Sequence, residues 1–477
     1  MASKKNNSNR IMLANRDWTQ GNILNNLLVL SWPMAVTQTL MTLGPTIDTI
    51  WVGRLGPVSM AAVGVAGVAV MLAQGMMMGL TTGMRALIAR SIGAKDIPTA
   101  NLVAQQAIVV SFAFTLLVAI IGGFFSETIM SWVTKDPEIV NLGAGYLRIQ
   151  FVGAITMNFR MMMDAVMQAS GDSMNPMQIA ITFRGFHILL CPFMVFGAEF
   201  FPTVFPGIEG NLSSWWPFPA LGVNGAAYTG IIAQTLGIIL GIRVLFGNRS
   251  RLRLTFKGFR LDAPIIWRMI RVGLPSAVSS IQRSLNQFII QIFLAPFGTI
   301  ILAAHVVSQR IEMILMTPIM SLGQGAGVLV GQNLGANQPH RAEKSAWLAV
   351  ILVEIIVAVV AIALFFWTIP VIRVFSSDTS VDETAIVFIH IAIVGWIFLG
   401  FQFVLMNALH GAGDTMPPMI ISIITTWLIT IPLAYFLPKF TDYGVLGIRW
   451  ALTVSMIVGA AANVIYFRAG TWKTRRV

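Results

Sequence analysis

Residues Ala169 to Met177 read ASGDSMNPM, and Gly411 to Met419 read GAGDTMPPM. One motif is written twice, 242 residues apart, and the same offset holds upstream. Pro33 falls on Pro275, Ala61-Ala62 on Ala303-Ala304, Gly83 on Gly325 and Gly93-Ala94 on Gly335-Ala336. A register kept without a gap from residue 33 to 177 means two structurally equivalent halves. The expected division is 1–245, a basic linker at 246–271, and 272–477.

The 477 residues are 56% hydrophobic and only 10% charged, against about 25% charged in a soluble domain. Apolar runs long enough to cross a hydrocarbon core of about 30 Å recur along the whole length. Twelve spans are expected: 28–52, 61–89, 102–124, 140–167, 177–196, 220–245, 272–295, 303–332, 345–367, 384–409, 416–437 and 444–467. The expected fold is an all-α integral membrane protein of twelve transmembrane helices in two pseudo-symmetric six-helix lobes. In so apolar a chain, duplicated halves predict a transporter that moves one half against the other around a site between them.

The net charge of +12 raises the question of nucleic acid, and its location answers it. Arg249, Arg251, Arg253, Lys257, Arg260, Arg268 and Arg271 fall in one inter-span stretch. Lys4, Lys5, Arg10 and Arg16 precede span 1, and Arg468, Lys473, Arg475 and Arg476 follow span 12. Loops on the other side hold only Arg54, Lys135, Arg373 and Lys439. This is the positive-inside asymmetry, which puts both termini in the cytoplasm of a plasma (bacterial inner) membrane protein. The partners expected are the lipid bilayer and a small-molecule substrate, with no nucleic acid, and the chain is expected to be a monomer. The start, MASKKNNSNR, lacks the apolar core of a cleaved signal peptide. Residues 197–219, with Trp215 and Trp216, are expected to form an outer loop at the membrane interface or a lid over the outer opening. The single cysteine, Cys191, excludes an internal disulfide and a cysteine-based metal cluster. Neither a GxxxxGK[ST] loop nor HExxH, GxSxG or HRD is present, so no enzyme activity and no cofactor are expected.

Several of these segments resemble the multidrug and toxic compound extrusion (MATE) family. They are VGRLG (Val52–Gly56), AAVG (Ala61–Gly64) and IGAKD (Ile92–Asp96), with LAPFG (Leu294–Gly298), AAH (Ala303–His305) and GQNLGA (Gly331–Ala336) in the second half. The paired turns at Asp172 and Asp414 complete the set. The resemblance implies two six-helix lobes around a central cavity. It also implies export of amphipathic, often cationic, drug-like compounds in exchange for inward protons or sodium. The alternative within the wider superfamily is a carrier of organic anions or a flippase of lipid-linked saccharides.

A carboxylate inside a span is costly and is usually there for function. Asp48, in GPTIDTIWVGRLG, occupies the position of the family's span 1 acid, and Pro33 matches the proline at which that span bends. Asp48 is therefore expected to couple ion entry to transport; the other reading is an aspartate that snorkels to the outer interface. Relatives place Asn and Asp in span 5, where this chain has His187 and Cys191 before Pro192. Imidazole and thiol suit a hard cation poorly, which favours the proton over sodium as coupling ion, with His187 able to titrate. Asp164 follows Arg160 by one turn, either as a local ion pair or as a second acid beside Asp48. The second-lobe acids of one branch are replaced here by Arg283 and Leu399. Glu312 is either close enough to Arg310 to pair with it or, with Cys191, part of the cavity's set of polar and charged partners, and Glu354 is expected either to be protonated or to face another helix's donor.

Intramembrane arginines are the departure. Arg160, Arg184 and Arg283 either pair with acids and line the cavity as charge partners, or the cavity accepts anions through their planar guanidinium forks. The methionines at 76–78 and 161–163 are expected to contribute in part to a cavity lining.

Overall fold

The computed structural model describes residues 16–197, 219–247, 250–375 and 379–475. The expected outer loop with Trp215 and Trp216 lies outside them. Among the described residues every regular element is helical. In chain order they are α1 (Ile23–Gly53), α2 (Pro57–Gly93), α3 (Ile97–Val133), α4 (Pro137–Ser170), α5 (Met174–Phe196), α6 (Gly222–Leu245) and α7 (Ala263–Leu294). Then come α8 (Thr299–Gly335), α9 (Pro339–Phe375), α10 (Thr379–Trp396), α11 (Leu399–Ala412), α12 (Met416–Phe440) and α13 (Leu446–Ala469). Eight of them are long and apolar enough to cross a membrane, or nine with the bent pair α10–α11 counted as one span. Each expected span lies on one of these helices or on that pair, to within two residues.

The chain forms two compact units. Among the described residues, the first holds Arg16, 36–77 and those between 101 and 266; the second holds 17–35, 78–100 and those from 267 onward. Residues 17–35 and 78–100, expected in the first lobe, therefore group with the second unit. The physical reason lies in small residues. A Cβ added at Gly79 or Gly83 on α2 would run into the backbone of Gly273 or Met269 on α7, so the two helices touch main chain to main chain. On α1, Leu27, Leu30 and Met34 join the apolar core built by α8, α9, α10 and α11. The first unit's core gathers Val52, Leu147, Phe151, Cys191 and Val195.

The second unit is seamed by Gly323, Gly327, Gly331 and Gly335 of α8, one residue per turn on one face. A Cβ at Gly411 of α11 would run into the backbone of Gly327, and a Cβ at Gly327 into the carbonyl of Asn407, also on α11. In a bilayer, where burial drives helix pairing weakly, such close backbone contact is what joins helices.

Three local departures have identifiable causes. α7 begins at Ala263, nine residues before the expected span, because Asp262 caps it through Ile265 N–H at 3.0 Å. Arg268 and Arg271 thus belong to a helix rather than to the linker. Span 10 is not continuous: α10 and α11 meet at a 47° bend. Phe398, the N-cap of α11, has no capping side chain. Instead the Glu354 carboxylate of α9 faces the N–H groups of Gly400 and Phe401, and Gly400 leaves room for it. In α12 a π-turn spans Thr425–Thr430, just before Pro432, which cannot donate to the helix ladder.

The repeated GD motif makes matching turns. Gly171 and Gly413 each end a helix in the left-handed conformation, at φ 96° and 78°. Asp172 then accepts from Asn175 N–H and Nδ2, and burial raises its pKa against the lowering effect of those bonds. Asp414 accepts from Tyr466 at 2.6 Å.

Candidate functional site

Asp48 sits on α1 between two exposed threonines, Thr46 and Thr49, whose hydroxyls turn back to α1 carbonyls. Its own side chain is 15% exposed and points to α5. His187 and Cys191 lie four residues apart on α5, and so on one face, and both are buried. His187 Nε2 is 3.2 Å from Asp48 Oδ1, and Cys191 Sγ is 3.6 Å from the same oxygen. The three ligand atoms all lie within 4.8 Å of one another.

Arg184, one turn before His187, completes the chain of contacts. Its Nη1 is 3.3 Å from His187 Nδ1. A guanidinium only donates, so Nδ1 is the accepting nitrogen and the imidazole hydrogen sits on Nε2, directed at Asp48. The histidine is thus a neutral bridge, donating to the carboxylate on one side and accepting from the cation on the other. Gly44, one turn before Asp48, is what admits Arg184: a Cβ there would collide with the guanidinium. The Arg184 head also lies 5.2 Å from the centre of the Phe183 ring.

Arg160 and Asp164 of α4 are ion-paired and almost fully buried. Arg160 donates in addition to Gln234 of α6 and stands 4.5 Å over the Phe183 ring. Asp164 is therefore held by its own helix's arginine. Phe183 separates the two groups of charges, with one arginine against it from each.

In the second unit, Arg283 donates to Ser280 at 3.0 Å. Of the three arginines, Arg160 forms an ion pair, whereas among the described residues neither Arg184 nor Arg283 is in one with a carboxylate. Arg310 is exposed and forms no ion pair with Glu312. Glu312 instead lines a small cavity with Arg449, Trp396 and Thr453. Arg449 is buried, 3.1 Å from His305 Nδ1 and 2.6 Å from Ser308 Oγ. Arg449 is a fourth arginine inside a span beside Arg160, Arg184 and Arg283, and that position is the sequence signal for it. The methionine clusters divide: Met77, Met162 and Met163 are buried, whereas Met76 and Met78 are exposed.

Comparison with known proteins agrees with this architecture. The MatE family model matches twice, over residues 33–193 and 275–436, and the second match begins at Pro275, the repeat partner of Pro33. The probable multidrug resistance protein NorM of Thermotoga maritima is 24% identical over 94% of this chain and 93% of its own. The FAD transporter of Shewanella oneidensis is 24% identical over 87% and 88%. A crystal structure of MATE in the bent conformation superposes with a TM-score of 0.86 at 23% identity, covering 95% of this chain and 96% of the other. A MOP superfamily transporter from Pyrococcus furiosus, described as having a binding pocket of reverse polarity, gives 0.86 at 22% over 96% and 98%. With about two thirds of its length matched in two repeat-related copies, the chain belongs to the MatE family of multi-pass membrane transporters.

Proposed function

We propose that the protein is a secondary-active antiporter that exports small amphipathic, drug-like compounds in exchange for inward protons, with Asp48 as the coupling group. The observation that carries this reading is the Arg184–His187–Asp48–Cys191 array. Among the described residues, the donors turned on the Asp48 carboxylate are the N–H of His187 and the S–H of Cys191, which suits a group that trades a proton. Sodium prefers several oxygen ligands, and here one carboxylate stands among nitrogen and sulfur. The relatives named multidrug resistance proteins support the efflux part.

The cycle follows from the contacts. Ionised Asp48 accepts from His187 and Cys191 and tethers α1 to α5. Proton uptake removes its charge, weakens both bonds and frees α1 to bend near Pro33, so that access to the site alternates between the two sides. In this reading both termini face the cytoplasm, the membrane is the plasma membrane, and the monomer is the working unit.

Asp48→Asn keeps the size and removes the titration. In proteoliposomes under an imposed pH gradient it should reduce export of a cationic dye to the protein-free background, while wild type exports under the pH gradient and not under a sodium gradient. Full export by the variant would exclude Asp48 as the coupling group. A second reading is favoured by one observation: Arg184 and Arg283 form no direct ion pair with a carboxylate among the described residues, and such arginines suit organic anions. The same vesicles loaded with an anionic dye distinguish the two.

A further inference from the structure

We propose that Asp48, His187 and Cys191 form a binding site for a thiophilic divalent metal ion, with zinc and cadmium as its chemical class. The proposal goes beyond proton coupling and does not depend on it. One carboxylate oxygen, one imidazole nitrogen and one thiol sulfur lie within 4.8 Å of one another. Two of the separations, 3.2 Å and 3.6 Å, are those from Asp48 Oδ1 to His187 Nε2 and Cys191 Sγ. Ligand atoms on a tetrahedral ion with bonds of about 2.0–2.3 Å stand roughly 3.3–3.7 Å apart. The side chains therefore need only small shifts to close on an ion. Spacing of four on α5 presents the imidazole and the sulfur on one face, and α1 supplies the oxygen from the other side. Sulfur and nitrogen donors select zinc or cadmium over magnesium, calcium and sodium.

Binding releases one proton and involves no oxidation. The Cys191 thiol proton leaves to solvent, and the sulfur lone pair forms the bond to the metal. His187 transfers its hydrogen from Nε2 to Nδ1, which opens the Nε2 lone pair and leaves the ring neutral. Nδ1–H then confronts the Arg184 donor now 3.3 Å away, so Arg184 must swing aside. Arg184 thus opposes the metal by charge and by hydrogen-bond direction. Glutamine in its place removes the charge and offers a carbonyl oxygen to Nδ1–H, the outer partner that a metal-bound histidine requires.

The test is titration of the purified full-length protein in detergent with cadmium, followed by the ultraviolet thiolate-to-cadmium charge-transfer band. Because the chain has a single cysteine, the band reports Cys191 alone. The expected result is saturation at one ion per chain with release of one proton, displacement by zinc, and no effect of magnesium or sodium. Arg184→Gln should bind about tenfold tighter. His187→Gln and Asp48→Asn should each bind at least about tenfold weaker. Absence of a saturable band in the wild-type protein overturns the proposal, with no variant needed. So does a band whose affinity is unchanged in both His187→Gln and Asp48→Asn, which would be a lone thiol. Neither result bears on proton-driven export, which is measured separately with Asp48→Asn.

Discussion

Arg160 spends its charge inside the first unit on one carboxylate and one amide, and this sets what its loss should do. A buried pair contributes modestly as a whole, because desolvating both ions offsets most of their attraction. Removing one partner is different, since it strands the other charge without water. Arg160→Met should lower stability by about 3–5 kcal/mol, read as a fall in the thermal transition of the detergent-solubilised protein. The double variant Arg160→Met/Asp164→Leu should recover most of that loss. Equal destabilisation by the single and the double change would mean that Arg160 acts through its packing on Phe183 and Gly237 and not through its charge. Arg184 differs for a local reason: no carboxylate bonds to it directly, and its hydrogen bond goes to a neutral ring. The two arginines look alike in sequence, yet only one has its acid four residues away on its own helix.

The helices owe their positions to glycines more than to apolar faces, because their surfaces are apolar nearly all round and cannot choose a partner by burial. Gly411 illustrates the consequence. A methyl group there would fall on the carbonyl of Gly327, and backbone cannot step aside as a side-chain tip can. Gly411→Ala should therefore destabilise the second unit by about 1–3 kcal/mol. Gly230, inside α6, has nothing within 4 Å of where a Cβ would stand. Gly230→Ala should be neutral, or stabilising by up to about 1 kcal/mol through helix propensity. Thermal unfolding of the two variants side by side checks the pair. Similar shifts in both would show that backbone contact does not hold α8 to α11. The breaks in α10–α11 and α12 also belong to this scale. Apolar periodicity runs straight through both, so neither was legible beforehand. The first depends on Glu354 reaching from α9 to a helix start that lacks its own cap, and the second on one proline late in an otherwise regular run.

Across the whole molecule the two halves share a fold without sharing a site, and this divides what could be read in advance from what could not. The repeat, the spans and the span 1 acid are local properties of the chain, visible as an offset, a hydropathy pattern and a charge out of place. The meeting of Asp48 with His187 and Cys191 falls where the family resemblance implies an ion site; spacing of four accounts only for His187 and Cys191 sharing a face. The partners of Glu312 and the grouping of residues 17–35 and 78–100 with the second unit depend on packing between distant segments, which no spacing records. The repeat offset carries Asp48, His187 and Cys191 onto Ile290, Ile429 and Leu433. Ile290 and Leu433 pack in one apolar cluster of the second unit. In the reverse direction His305 and Glu312 fall on Val63 and Val70, which pack on the first unit's apolar core. At these five positions one half carries an aliphatic side chain where the other carries a titratable group. If the proton is taken up in the first half alone, Glu312→Gln should leave export responsive to a pH gradient, while Asp48→Asn should remove that response. Glu312→Gln preserves an oxygen beside Arg449 and keeps the cavity's volume, so its main effect is loss of the ionisable carboxyl. Measured in matched proteoliposomes, dependence on the gradient that vanishes in Glu312→Gln and survives in Asp48→Asn would move the coupling group to the second unit.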